Sequence, residues 1–159
     1  MTDQAKLTQC LGIAYKDKRV LQSLEIYGAF TRYCDVDVGY EWLEFKSSGI
    51  SVMFSGAGAQ LDDSLATAFY LHREGHAGYK QFHGNLDGGI IFGDTINQIE
   101  AKLGFTGVRG GGGPSTVIKG LVIPQWLRFK YPSTFSHYQF DEHYKLEMLT
   151  VSLSSLMGF

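Results

Sequence analysis

Three of the chain's five histidines fall within Leu71 to Gly89, LHREGHAGYKQFHGNLDGG, together with one glutamate and one aspartate. Imidazoles and carboxylates set this close serve two kinds of chemistry, metal coordination and acid–base or nucleophilic catalysis. His72 and His76 stand four residues apart with Glu74 between them, which echoes the helical His-Glu-x-x-His zinc site. That site needs a helix to hold both rings on one face. Here Gly75 and Gly78 flank the second histidine, Ala66 to Leu71 reads as a strand, and the glutamate is one position away from the one the motif uses. His83 could fold back as a third ligand, but no cysteine or tightly spaced carboxylate completes a set. The three histidines therefore read as solvent-exposed loop residues, and no metal or cofactor is expected.

Catalysis by the same rings needs a nucleophile or a second acid–base group within hydrogen-bond reach. Ser47, Ser48, Ser64, Asp62 and Asp63 are the candidates, and none stands in a nucleophile elbow or another known spacing. The expectation is a protein that is not an enzyme, with a small hydrolase built on His72 to His83 as the alternative. The run Gly107-Val-Arg-Gly-Gly-Gly-Gly-Pro114 lacks the Gly-Lys-Ser/Thr ending of a phosphate-binding loop and follows a helix instead of opening one. It reads as a mobile loop.

A chain of 159 residues, 44% hydrophobic and 19% charged, has the make-up of one globular domain spanning residues 1–159. Fourteen basic against 16 acidic residues give a net charge of −2, so charge predicts neither nucleic-acid nor membrane binding. Cys10 and Cys34 make no disulfide framework and lack the C-x2-C spacing of a zinc or redox site. The N-terminus carries no apolar run of signal-peptide length, and no stretch of about 18 apolar residues occurs. A cytoplasmic location is the expectation.

These residues must be positioned by helices and strands that the periodicity predicts. Val20, Leu21, Leu24 and Tyr27 fall at helical spacing over Asp17 to Tyr27, with Gly28 at the C-terminal end. A second helix is predicted over Thr95 to Leu103, with Asp94 as N-cap and Gly104 closing it. Alternating strands are predicted at Tyr40 to Phe45, Ile50 to Phe54 and Ala66 to Leu71, then at Val117 to Ile123, Gln125 to Tyr131, Ser136 to Phe140 and Lys145 to Leu153.

The two halves echo one another. Trp42-Leu-Glu-Phe-Lys returns as Trp126-Leu-Arg-Phe-Lys, and Gly12-Ile-Ala-Tyr-Lys-Asp as Gly89-Ile-Ile-Phe-Gly-Asp. The order of elements matches too. The predicted fold is α+β, with two tandem helix-then-antiparallel-strand repeats, at approximately 8–72 and 86–155, forming one curved antiparallel sheet with helices on one face.

Residues Leu71 to Gly104, from L-H-R-E-G-H-A-G-Y-K-Q-F through G-N-L-D-G-G-I-I-F to K-L-G, resemble small bacterial proteins encoded beside polymorphic toxins, as does Ser48-Gly-Ile-Ser-Val-Met-Phe54. Asp87 stands where that pattern has proline. The duplicated helix-and-sheet unit is similar to the beta-lactamase inhibitor protein and its relatives, whose curved sheet grips a partner protein. The resemblance implies an immunity protein of the contact-dependent inhibition type. Such a protein would neutralise a cognate toxin domain, in some cases a nuclease, by stoichiometric occlusion and without a cofactor. An inhibitor or adaptor of another protein is the alternative within the binding class.

Side-chain alternation sorts the aromatic strands. Residues two apart share a face, so Leu43 with Phe45 and Leu127 with Phe129 form the apolar sets that belong against the helices. Trp42 with Glu44 and Trp126 with Arg128 then lie on the open face, where aromatic residues beside charge compose a protein-binding surface. Burial of that face under a loop such as the Gly-rich one is the competing reading. Asp62 and Asp63, with Asp35, Asp37 and Glu41, are further candidate contacts for a basic partner surface. With a net charge of only −2, a solvated face is the reading preferred for them.

Overall fold

The computed structural model describes residues 1–56, 60–112, 117–118 and 121–156. Helix α1 (Asp3–Thr8) starts at Thr2, whose hydroxyl accepts the Ala5 amide, and α2 (Lys18–Glu25) starts at Asp17, whose carboxylate accepts that of Arg19. Helix α3 (Ile96–Leu103) is capped reciprocally: Thr95 accepts from Gln98 N, and the Gln98 side chain accepts from Thr95 N. The expected cap, Asp94, sits one residue too early. Its carboxylate instead accepts the Ile91 amide and pairs with Lys102 at 2.6 Å.

Eight strands form one antiparallel sheet: β1 (Thr31–Asp35), β2 (Tyr40–Phe45), β3 (Ile50–Ser55), β4 (Leu65–His72), β5 (Val108–Gly110), β8 (Trp126–Lys130), β9 (Thr134–Phe140) and β10 (Leu146–Leu153). The two-residue strands β6 (Val117–Ile118) and β7 (Leu121–Val122) pair separately. They fall within the predicted strand over Val117 to Ile123, whose residues 119 and 120 lie outside the described ones. Spatial order is β1-β2-β3-β4-β10-β9-β8-β5. In each half a helix precedes a meander of sheet strands, and the last strand of each, β4 and β10, meet at the centre.

Helix α1 and strands β1 and β5 were not legible in advance. Strand β1 is exposed at four of its five residues, so TRYCD carries no alternation, and β5 has only three residues. The mobile-loop reading of Gly107 to Pro114 is corrected over its described part: Val108–Gly110 is an edge strand hydrogen-bonded to β8. Gly110 lies against the Trp126 ring there, which stands 2.2 Å from where a Cβ would be. Residues 113 and 114 of that run lie outside the described ones.

The core lies between the helices and one face of the sheet. Leu7, Val20, Leu24, Ile96 and Ile99 pack in one cluster with Leu43, Phe45, Val52, Phe69, Leu71, Leu127, Phe129, Leu149 and Val151. No described helix is long and apolar enough to cross a membrane.

Candidate binding face

The strands divide at Trp42 and Trp126 as alternation requires. Leu43, Phe45, Leu127 and Phe129 are buried on the helix side, whereas Trp42, Glu44, Trp126 and Arg128 are half-exposed on the opposite face. Register then brings the two halves together. One row of directly opposed residues crosses all eight strands of the sheet on that face: Thr31, Glu44, Ser51, Tyr70, Thr150, His137, Arg128 and Val108. Glu44 and Arg128 occupy corresponding places, each second from its edge. Five inter-strand steps separate them, about 24 Å at ~4.8 Å each. Trp42 lies in the adjoining row with Tyr33, Met53 and Ala68, and Trp126 in the row on the other side with Gln139 and Met148.

Each tryptophan is held by its neighbours. The Trp42 ring lies 5.9 Å from Tyr33 and 6.1 Å from Tyr40. The Arg128 guanidinium lies 4.1 Å over the Trp126 ring and 5.6 Å from that of Phe135, and its Nε donates to His137 Nδ1 at 2.8 Å. Burial, and then the Arg128 charge, hold the His137 imidazole down to about 4. On the other flank Glu44 accepts from Thr31 Oγ1 and lies 3.8 Å from Lys46 Nζ. The floor between is softer: Tyr70 donates to the Met53 thioether at 3.9 Å, and burial raises its phenol. Sequence reading passed over Tyr70, Met53, Thr150 and His137. The signal was present in alternation along β3, β4, β9 and β10, but only the register places Tyr70, Thr150 and His137 in line with Glu44 and Arg128, and Met53 beside Trp42.

The loop histidines need correction. His72 is the last residue of β4 and only 4% exposed, not a loop residue in solvent. Tyr79 stacks on it at 3.8 Å and 6°, and Ser51 Oγ lies 3.3 Å from its Nε2. Its Nδ1 faces that of His76 at 2.9 Å, while the ring centroids are 5.2 Å apart, so the rings meet edge to edge at hydrogen-bond distance, with the donor set by the tautomer. His76 is half-buried with Nε2 3.8 Å from Glu147, and only His83 is exposed. Burial, and then the His76 charge, push His72 down to about 3. The Ser51–His72–His76–Glu147 chain therefore has a weak base at its centre, covered by Tyr79. Among the described residues no group of three or more His, Cys, Asp or Glu side chains could hold a metal ion.

The connection from β4 to α3 folds back tightly over the β2–β3 turn. Lys80 N donates to Lys46 O, Phe82 N donates to His72 O, and Phe82 enters the core beside Tyr27. Gly49 makes this possible, with φ +70° and the Phe82 amide 2.2 Å from where a Cβ would stand.

No family model, curated protein or solved structure matches this chain. The site is thus read from its own geometry. Asp62 and Asp63 do not join the open face. They form an exposed single-turn helix, Leu61–Asp63, ahead of β4, where Asp63 pairs with Lys16 at 2.5 Å. The β1–β2 hairpin with Asp35 and Asp37 stands at the same end of the sheet, because Tyr40, Ser55 and Leu65 are aligned across β2, β3 and β4.

Proposed function

We propose that the chain is an immunity protein that binds a cognate bacterial toxin domain through the open sheet face and neutralises it by stoichiometric occlusion. The observation that supports this is the eight-residue row flanked by Trp42 and Trp126 on the face opposite the helices. The row has half-exposed aromatics, a carboxylate on one flank and a guanidinium on the other. Aromatic residues and arginine concentrate at the centres of protein interfaces, and paired opposite charges fix a partner's orientation. The immunity assignment itself rests on the resemblance of Ser48 to Phe54 and Leu71 to Gly104. We read the two halves as tandem copies, because the W-L-x-F-K segments occupy corresponding strands β2 and β8 of a sheet whose order reads alike from both edges. Localisation in the cytoplasm belongs to the same reading, since an immunity protein of this type meets its toxin there.

The test is co-expression with the product of the neighbouring gene. Neutralisation of its toxicity, with a one-to-one complex on purification, supports the proposal. Failure to bind or neutralise any adjacent product removes it, and a complex with an unrelated host protein leaves the inhibitor or adaptor reading in its place.

A further inference from the structure

At the hairpin end of the sheet, on the helix side and away from the open-face row, a pocket of about 310 Å³ is lined by Cys34, Asp35, Val36, Tyr40, Glu41 and Phe54, among others. Glu41 is 7% exposed. Its Oε1 pairs with Arg32 at 2.5 Å, while its Oε2 is buried and has no hydrogen-bond partner among the described residues. Buried carboxylate oxygens are almost always partnered, because leaving one dry and unpaired is unfavourable. A second carboxylate, Asp35, lines the same pocket, and Arg32 answers only one of the two charges. Val36, Tyr40 and Phe54 supply apolar wall. Two carboxylates set among apolar surface are the complement of a long basic side chain, whose stem packs while its head is paired. The volume stands at the lower end of ligand pockets, which run from roughly 300 Å³.

We propose that this pocket receives the guanidinium or ammonium group of an arginine or lysine projecting from a protein partner. A protein is favoured over a free amine by the hairpin above the pocket. Its tip carries Val36 at 82% and Val38 at 56% exposure, apolar surface that a partner would cover as its basic side chain enters. Asp35 Oδ1 accepts the amides of Asp37 and Val38 and so holds this tip in shape. The pocket stands on its own residues and does not depend on the open face being a binding face.

The test is a two-dimensional amide NMR titration of the full chain with N-acetyl-arginine methylamide and N-acetyl-lysine methylamide, against the neutral citrulline analogue. Saturable shifts at Asp35, Val36, Tyr40 and Glu41 with at least one cationic probe and not with citrulline are expected. Glu41→Gln should weaken binding at least about tenfold, the loss of a charge-assisted hydrogen bond. Asp35→Asn keeps the turn-forming oxygen and should weaken it less. Trp126→Ala, at the far side of the sheet, should leave the titration unchanged, which separates this pocket from the open face. Shifts that do not saturate, that citrulline reproduces, or that survive both carboxylate variants would overturn the proposal. If Glu41→Gln does not fold, Asp35→Asn decides alone.

Discussion

Lowering the pH from 8 to 5 should destabilise the fold through His72, and His72→Gln should remove that part of the loss. The folded imidazole titrates at about 3 against 6.5 in the unfolded chain, because Tyr79, Ser51 and the sheet exclude water and His76 adds a like charge. A base whose folded pKa is depressed leaves the unfolded state to take the proton first. Its stabilisation is complete above pH 6.5 and is lost progressively as pH falls from there to about 3. One pH unit in that window is about 1.4 kcal/mol, so pH 5 costs about 2 kcal/mol from His72 alone. His137, held down to about 4, acts in the same direction over the same range. The carboxylates of Asp3, Asp17, Glu74, Glu100 and Asp141 are held below their ordinary values, so their losses come at lower pH. Urea unfolding at pH 8, 6.5 and 5 reads the difference. Wild type should lose about 2 kcal/mol more than His72→Gln between pH 8 and 5. Equal losses in the two proteins would show that the fold does not keep His72 neutral.

Gly49→Ala should cost more than about 2 kcal/mol in urea or thermal unfolding, since it meets both an unfavourable φ and the 80–82 backbone; a loss under about 1 kcal/mol would mean that this segment yields. Leu43→Ala and Leu127→Ala, both fully buried, should each cost roughly 2–5 kcal/mol. Trp42→Ala should cost less than either, and the reverse order would place Trp42 in the core. Thr95→Ala, which removes one half of the reciprocal cap of α3, should cost about 1 kcal/mol.

Much of the sheet was legible because it is half-buried. In Tyr40 to Phe45 and Trp126 to Lys130 each second residue is core, so the period of two appears in the sequence and sorts Trp from Leu. Strand β1 escaped because it is an exposed edge, and β5 because a three-residue strand has no period to show. The caps were half-visible: Gly104 closes α3 where expected, but the C-cap of α2 is Ile26, two residues before Gly28, and Thr95 takes the place of Asp94 through its reciprocal bond with Gln98. The histidines were misread for a different reason. Gly75 and Gly78 do mark a turn, but the turn folds back and lays Tyr79 over His72, a contact that spacing along the chain does not encode. The single row from Thr31 to Val108 was invisible for the same reason, since it depends on which strands meet at the centre of the sheet.

The central claim is that the open sheet face binds the partner. Its most direct test is the affinity of the neighbouring gene's product for the wild-type chain, for Trp42→Ala and Trp126→Ala, and for an Asp62→Asn, Asp63→Asn control, each confirmed folded by its unfolding midpoint. The account predicts that each tryptophan variant weakens binding by more than about 1–2 kcal/mol, roughly tenfold, while the control binds as wild type does. Folded tryptophan variants that bind with unchanged affinity would contradict it.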